Sequence, residues 1–294
     1  ISSYTMAPTL VDSSLSPDHS SGWTTFRHAG LQPQSKPAIA APMNRFIILF
    51  ALILSTFAAV LAVQSVREMP RHVSAGEHKL RMSILGKGSP AVVFDAFGPA
   101  NLEIWNRVQP EVARFARTVT YDHGGYWGSE PGPKPRDAQQ IARELNTALH
   151  AANVPPPYVL VGYSFGGPYA RVFAGMYPHE VCGLLLIDPT QEEFMDLFKV
   201  KYSRFYVVSE KHRIAQNEWG CQWDSLAQAK DSRLPNIPII VITGMAKQDM
   251  LKNSLLPQWL ESHQKWISRF PQGRHLVTTN SGHNVILKEP ELVI

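Results

Sequence analysis

An α/β fold, with a mostly parallel sheet covered by helices on both faces, is predicted by three features of this 294-residue sequence. Strand-like and helix-like stretches alternate from about residue 77 to the end of the chain. Gly183–Ile187 and Ile239–Thr243 are continuous apolar runs, the pattern of strands buried on both faces of a parallel sheet. Val159–Gly167 passes from an apolar strand through a glycine-flanked turn into small residues, as a tight strand-to-helix junction requires.

Taken in order, residues 1–42 are rich in Ser, Pro, Ala and Thr and lack periodicity. A segment of that composition buries too little to offset its ordering entropy and is expected to be disordered. Met43-Asn44-Arg45 then precedes the uncharged apolar run Phe46–Val63. A basic residue, an apolar run and then small residues form the layout of a secretory signal peptide, with Met43 as the start of translation. At about 18 residues the run also just suffices to span a bilayer, so a retained membrane anchor is the rival reading. Either way residues 43–66 are an address, and the domain is expected to be exported or held outside the cytoplasm.

The globular domain is expected over residues 77–294. His78–Leu85 and Ala91–Phe94 read as strands separated by the turn residues Gly86–Pro90, and Arg117–Tyr121 as a short strand. Asp137–Ala152 carries Ile141, Leu145 and Leu149 on one helical face, with Asp137 as its cap. Tyr158–Gly162 is a buried strand, Gly166–Met176 a helix of small residues, and His275–Thr278 a last strand. Between about 190 and 235 the alternation stops and aromatic residues gather (Phe194, Phe198, Tyr202, Phe205, Tyr206, Trp219, Trp223). That stretch reads as a helical insertion, a lid over the carboxyl edge of the sheet.

Lys and Arg number 28 against 24 Asp and Glu, and they are scattered instead of forming a basic stripe, which argues against a nucleic-acid partner. Cys182 and Cys221 have no CxxC spacing and no His cluster beside them, so no metal site is indicated. Cys182 reads as a small apolar core residue and Cys221 as an incidental thiol.

The chemistry concentrates at Gly162-Tyr163-Ser164-Phe165-Gly166, a G-x-S-x-G with a strand before it and a helix after it. So sharp a turn strains the central residue, and its close neighbours must lack bulk. Ser164 is thereby lifted above the sheet, where the free N–H groups of the following helix converge, the Phe165 N–H among them. A serine hydroxyl needs a base at neutral pH. His283, in a Gly-containing loop after the last strand, is the preferred base, with His123 as competitor. The acid that orients it should end a strand between the two; Asp249 is preferred, with Asp188 as the alternative. A second oxyanion donor is expected from the loop after Val92-Val93-Phe94, the Phe97 N–H first and Ala96 next.

These segments resemble the α/β-hydrolase superfamily over roughly residues 78–294. The resemblance rests on Gly162–Gly167, on Ser281-Gly282-His283-Asn284, and on Tyr121–Ser129, which is similar to the family's Y-D-x-x-G-x-G-x-S loop. It implies an eight-stranded sheet with a lid and no cofactor, and a structural place for His123, which stands where many members carry Arg. Asp95-Ala96 replaces the His-Gly usual at the oxyanion loop, and the chain stops at Ile294, where members continue into a last helix. The function expected is a serine hydrolase acting through an acyl-enzyme on a small-molecule carboxylic ester with an apolar part. An amidase or peptidase, or a weakly catalytic binding module on the same scaffold, is the alternative.

Overall fold

The computed structural model describes residues 69–201, 214–247 and 254–294. The segment 1–42 and the apolar run Phe46–Val63 lie outside them. Among the described residues no helix is long and apolar enough to cross a membrane.

Eight strands form one sheet: β1 (Arg71–Ser74), β2 (Lys79–Leu85), β3 (Ala91–Asp95), β4 (Arg117–Tyr121), β5 (Tyr158–Tyr163), β6 (Val181–Ile187), β7 (Ile239–Gly244) and β8 (Gly273–Thr278). Their spatial order is β1-β2-β4-β3-β5-β6-β7-β8. β1 and β2 run antiparallel to their neighbours, and every pair from β4 onward is parallel. β1 lies ahead of the expected domain start at Glu77. Its sequence RHVS buries only Val73, too short a pattern to register as a strand.

The longer helices are α1 (Ala138–Ala151), α2 (Gly166–Met176), α3 (Glu192–Lys201), α4 (Gln222–Asp231) and α5 (Leu256–Ile267). In α1, Ile141, Leu145 and Leu149 are buried, and the Asp137 side chain accepts from the Gln140 N–H at 2.9 Å. Three aliphatic side chains taken out of water contribute roughly 1.5–3 kcal/mol each. α1 and α2 pack together with one face of β2 to β7 in the larger core, around Tyr158, Tyr169 and Phe173. A second core on the other face gathers Phe94, Trp105, Val161, Ile187 and Ile242.

Within the stretch expected as a lid over about 190–235, the described residues include α3 and α4. α4 lies against α1 and α2, where Ser225 Oγ accepts from the Ala138 N–H at 3.0 Å and Arg171 donates to the Ala229 carbonyl at 2.8 Å. It lies, like α3, in the connection between β6 and the parallel β7. Sequence alternation failed there because α4 is a mostly polar helix with few buried positions. Both cysteines are free, and their environments reverse the expectation: Cys221 is the buried one and Cys182 is half-buried.

The chain leaves β3 for β4 on one side and returns to β5 on the other. Adjacent parallel strands whose connections diverge leave a crevice beyond their carboxyl ends, the general place for a ligand in an open α/β sheet. Asp95 ends β3 and Ser164 follows β5, so both stand at that crevice.

Candidate active site

Ser164 occupies the turn between β5 and α2 with φ +56°, a left-handed conformation that costs a non-glycine residue roughly 1–3 kcal/mol. Three backbone bonds hold it there. Its N–H donates to Ile187 O at 3.0 Å, and its carbonyl accepts from Gly167 N at 3.1 Å and Thr190 N at 2.9 Å. The flanking glycines are steric necessities. A Cβ on Gly162 would stand 2.5 Å from Gly166 O, and one on Gly166 would stand 2.4 Å from Asp95 O. The second approach also brings the loop after β3 against the first turn of α2.

His283 Nε2 lies 2.9 Å from Ser164 Oγ, and its Nδ1 lies 2.6 Å from Asp188 Oδ2. An ionised carboxylate only accepts, so Nδ1 carries the proton and Nε2 presents its lone pair to the hydroxyl. The Tyr163 ring packs on the imidazole with centroids 5.0 Å apart. The loop bearing His283 is tied down by Glu289, which accepts from Thr278 Oγ1 at 2.7 Å, from Asn280 Nδ2 at 3.2 Å and from the Ser281 hydroxyl. Those donors, Ser281 first, hold the Glu289 carboxyl below its ordinary range.

The carboxylate on His283 Nδ1 is that of Asp188, the alternative acid of the sequence reading; Asp249, the preferred one, lies outside the described residues. The reason is topological. β6 is the immediate neighbour of β5, so an acid at its tip is one strand spacing, about 4.8 Å, from the nucleophile's strand. β7, the strand ahead of Asp249, is one place further out. Asp188 is fully buried, and its Oδ1 accepts from Trp259 Nε1 at 2.7 Å and from Gly244 N at 3.1 Å. Behind it, His263 Nε2 donates to Pro189 O at 2.7 Å, so His263 Nδ1 accepts the Thr243 hydroxyl at 2.6 Å. Thr243 Oγ1 in turn accepts from His275 Nε2 at 2.7 Å. Each link in this chain has one proton and one direction.

The loop 95–99 carries the other expected oxyanion donor. The Phe97 ring sits 5.3 Å from that of Phe165 and edge-on to Trp219 at 4.7 Å. Phe165 caps α2, whose first-turn N–H groups have no intrahelical acceptor. Ala96 is buried, and its Cα would meet a Cβ on Gly166 at 2.9 Å.

His123 is enclosed by carboxylates. Its Nε2 is 2.9 Å from Asp95 Oδ1 and its Nδ1 is 3.0 Å from Glu218 Oε1, so neither nitrogen is free to serve Ser164. Burial disfavours the charged ring, but Glu218 and Asp95 outweigh it and raise His123 to about 10. The neighbouring loop residue Asp122 is fully buried and accepts from Leu102 N and Arg81 Nη1, each at 2.8 Å. Arg81 N and Ser129 Oγ complete that loop's anchoring.

Trp259, Glu289 and Glu218 were not singled out by sequence reasoning. Each acts through a fold contact between residues 8 to 120 positions apart, and no local pattern carries such a contact. Of the aromatic residues of the insertion, Phe194 packs edge-on against Trp259 at 4.6 Å. Its place is therefore support for the acid's partner. Tyr202, Phe205 and Tyr206 lie outside the described residues.

A family model for the alpha/beta hydrolase fold matches residues 91–211. The chain is 25% identical over 216 residues to the uncharacterized protein YqjL of Bacillus subtilis, covering 71% of this chain and 82% of that protein. A thermophilic esterase from Thermogutta terrifontis superposes with a TM-score of 0.53 at 18% identity, over 77% of this chain and 95% of that one. A serine hydrolase involved in carbazole degradation gives 0.54 at 19% identity, over 76% and 95%. At these identities the solved structures attest the fold.

Proposed function

Because this chain has the fold of the α/β hydrolases, we propose that it is a serine hydrolase that cleaves a small-molecule carboxylic ester through an acyl-enzyme. The observation that carries the proposal is the file Ser164 Oγ, His283 Nε2, His283 Nδ1, Asp188 Oδ2, with gaps of 2.9 and 2.6 Å. His283 takes the hydroxyl proton as Ser164 Oγ attacks the carbonyl carbon, and Asp188 stabilises the imidazolium. The oxyanion is received by the N–H groups of Phe165 and Phe97. His283 then delivers its proton to the departing alkoxide. A water, deprotonated by the same imidazole, releases the acid and restores Ser164. The aromatic side chains of Phe97, Phe165 and Trp219 beside the nucleophile support an apolar part in the substrate. The test is a fluorophosphonate probe together with p-nitrophenyl esters of increasing acyl length. Wild-type protein labels at Ser164 and turns over the esters, and Ser164→Ala does neither; an unlabelled wild-type protein defeats the reading.

We also propose, on the sequence of Phe46–Val63 alone, that the domain acts outside the cytoplasm, exported or anchored. N-terminal sequencing of the protein from its native host decides between cleavage and anchoring. A soluble cytoplasmic protein that retains the run defeats both.

A further inference from the structure

Asp95, His123 and Glu218 form a buried cluster that the acyl-transfer steps do not use. The three are 4%, 3% and 0% exposed, and every carboxylate oxygen has a partner. Asp95 Oδ1 and Glu218 Oε1 face the two His123 nitrogens. Asp95 Oδ2 accepts from Tyr121 OH at 2.7 Å, and Glu218 Oε2 accepts from Tyr169 OH at 3.3 Å and from Gly98 N at 3.0 Å. The imidazole lies against Tyr121, centroids 5.0 Å apart and 16° from parallel, and 5.4 Å from Tyr169. With acceptor-only oxygens on both ring nitrogens, the ring carries both protons.

The cluster touches the loop 95–99 at both ends. Asp95 opens that loop, and Glu218 holds the Gly98 N–H from the far side. Gly98 is required for this approach, because a Cβ there would stand 2.5–2.7 Å from the Glu218 carboxylate. The neighbours of the cluster complete the grip: Trp219 on the Phe97 ring, and Trp127 Nε1 donating to Pro99 O at 3.0 Å. Burying charges in so closed a site is costly unless they are partnered, and here both carboxylates face the one imidazole. Nothing in the sheet itself calls for a charged cluster at this point.

Resting on the hydrolase reading, we propose that Glu218, through the Gly98 N–H and the His123–Asp95 pair, is a positioning residue that fixes the oxyanion-binding N–H of Phe97. The segment between β6 and α4 thereby sets the geometry of a loop 120 residues earlier in the chain. Glu218 touches neither substrate nor Ser164 in this scheme; it acts on transition-state binding alone.

The experiment compares wild type, Glu218→Gln, Gly98→Ala and Tyr158→Phe, all in the full chain. Tyr158 is the control, since its hydroxyl makes a buried 2.8 Å bond to Val154 O that plays no part in the cluster. For p-nitrophenyl butyrate, Glu218→Gln and Gly98→Ala lower kcat by about tenfold to a hundredfold and leave KM within about twofold, short of the loss for deleting an oxyanion donor outright. They weaken a trifluoromethyl ketone, which mimics the oxyanion, by the same factor as kcat. Tyr158→Phe changes neither, although it lowers the melting temperature. Folded Glu218→Gln with wild-type kcat overturns the positioning role, as does a loss of kcat without a matching loss of ketone affinity. A wild-type protein that hydrolyses nothing sinks the hydrolase reading and this inference together; wild-type turnover with unaffected variants sinks this inference alone.

Discussion

The indole N–H of Trp259 donates to Asp188 Oδ1 at 2.7 Å, which leaves Oδ2 to face His283 at 2.6 Å. One oxygen of the acid is thus committed to the scaffold and the other to the base. A carboxylate anchored in this way cannot rotate to offer a poorer angle. Trp259→Phe keeps the ring and its packing on Phe194 but removes the donor. Loss of a hydrogen bond to a buried charge costs about 1.5–3 kcal/mol. Steady-state kinetics on a p-nitrophenyl ester should show kcat reduced about tenfold with KM little changed.

Identification of the acid has a direct check. Asp188→Asn keeps the shape but presents the wrong partner to Nδ1, and a change of that kind lowers kcat by about 10⁴ in a serine hydrolase. Asp249→Asn is expected to retain kcat within about threefold, since the bond on His283 Nδ1 is already made. Equal losses in the two variants would contradict the assignment.

Backbone crowding at the nucleophile turn gives a stability prediction. Gly166→Ala places a Cβ 2.4 Å from Asp95 O and 2.9 Å from the Ala96 Cα, and both are main-chain atoms that cannot swing away. The cost should reach about 4 kcal/mol or more, a large part of a domain's stability. Thermal denaturation by circular dichroism should show a melting temperature lowered by ten degrees or more, or no folded protein at all.

The enclosed histidine makes stability depend on pH. His123 titrates near 6.5 when unfolded and at about 10 in the fold, because Glu218 and Asp95 overcome the burial that opposes its charge. A folded pKa above the unfolded one stabilises fully below 6.5, and the contribution drains away as pH rises to 10. Melting temperature should therefore fall across that window. Glu218→Gln removes one of the two carboxylates and should shift the upper end of the fall to lower pH. A wild-type profile parallel to that of the variant would refute the linkage.

Strand and helix positions were largely legible because the buried elements declare themselves locally. β4 and α2 have the bounds read from their residues, and Asp137 caps α1 as its side chain suggests. The serine and the histidine were legible for the same reason, since glycine spacing and a loop after a strand are short-range signals. The acid was a different problem. Two aspartates followed apolar strands, and only spatial order, with β6 beside β5, distinguishes them. Sequence proximity to the histidine loop favoured Asp249, which lies outside the described residues, whereas the sheet sets Asp188 beside the nucleophile's strand. β1 escaped notice because it buries only Val73. Glu218, Trp259 and Glu289 are polar partners whose counterparts are distant in sequence, and residue type alone does not announce that kind of contact.

Glu289 gathers Thr278, Asn280 and Ser281 into one knot at the end of the chain. Glu289 therefore braces the turn that presents His283 to Ser164. Replacing Glu289 by Ala would release the turn that aims the imidazole while the sheet stays intact, so the protein would look folded and lose the reach between His283 and Ser164.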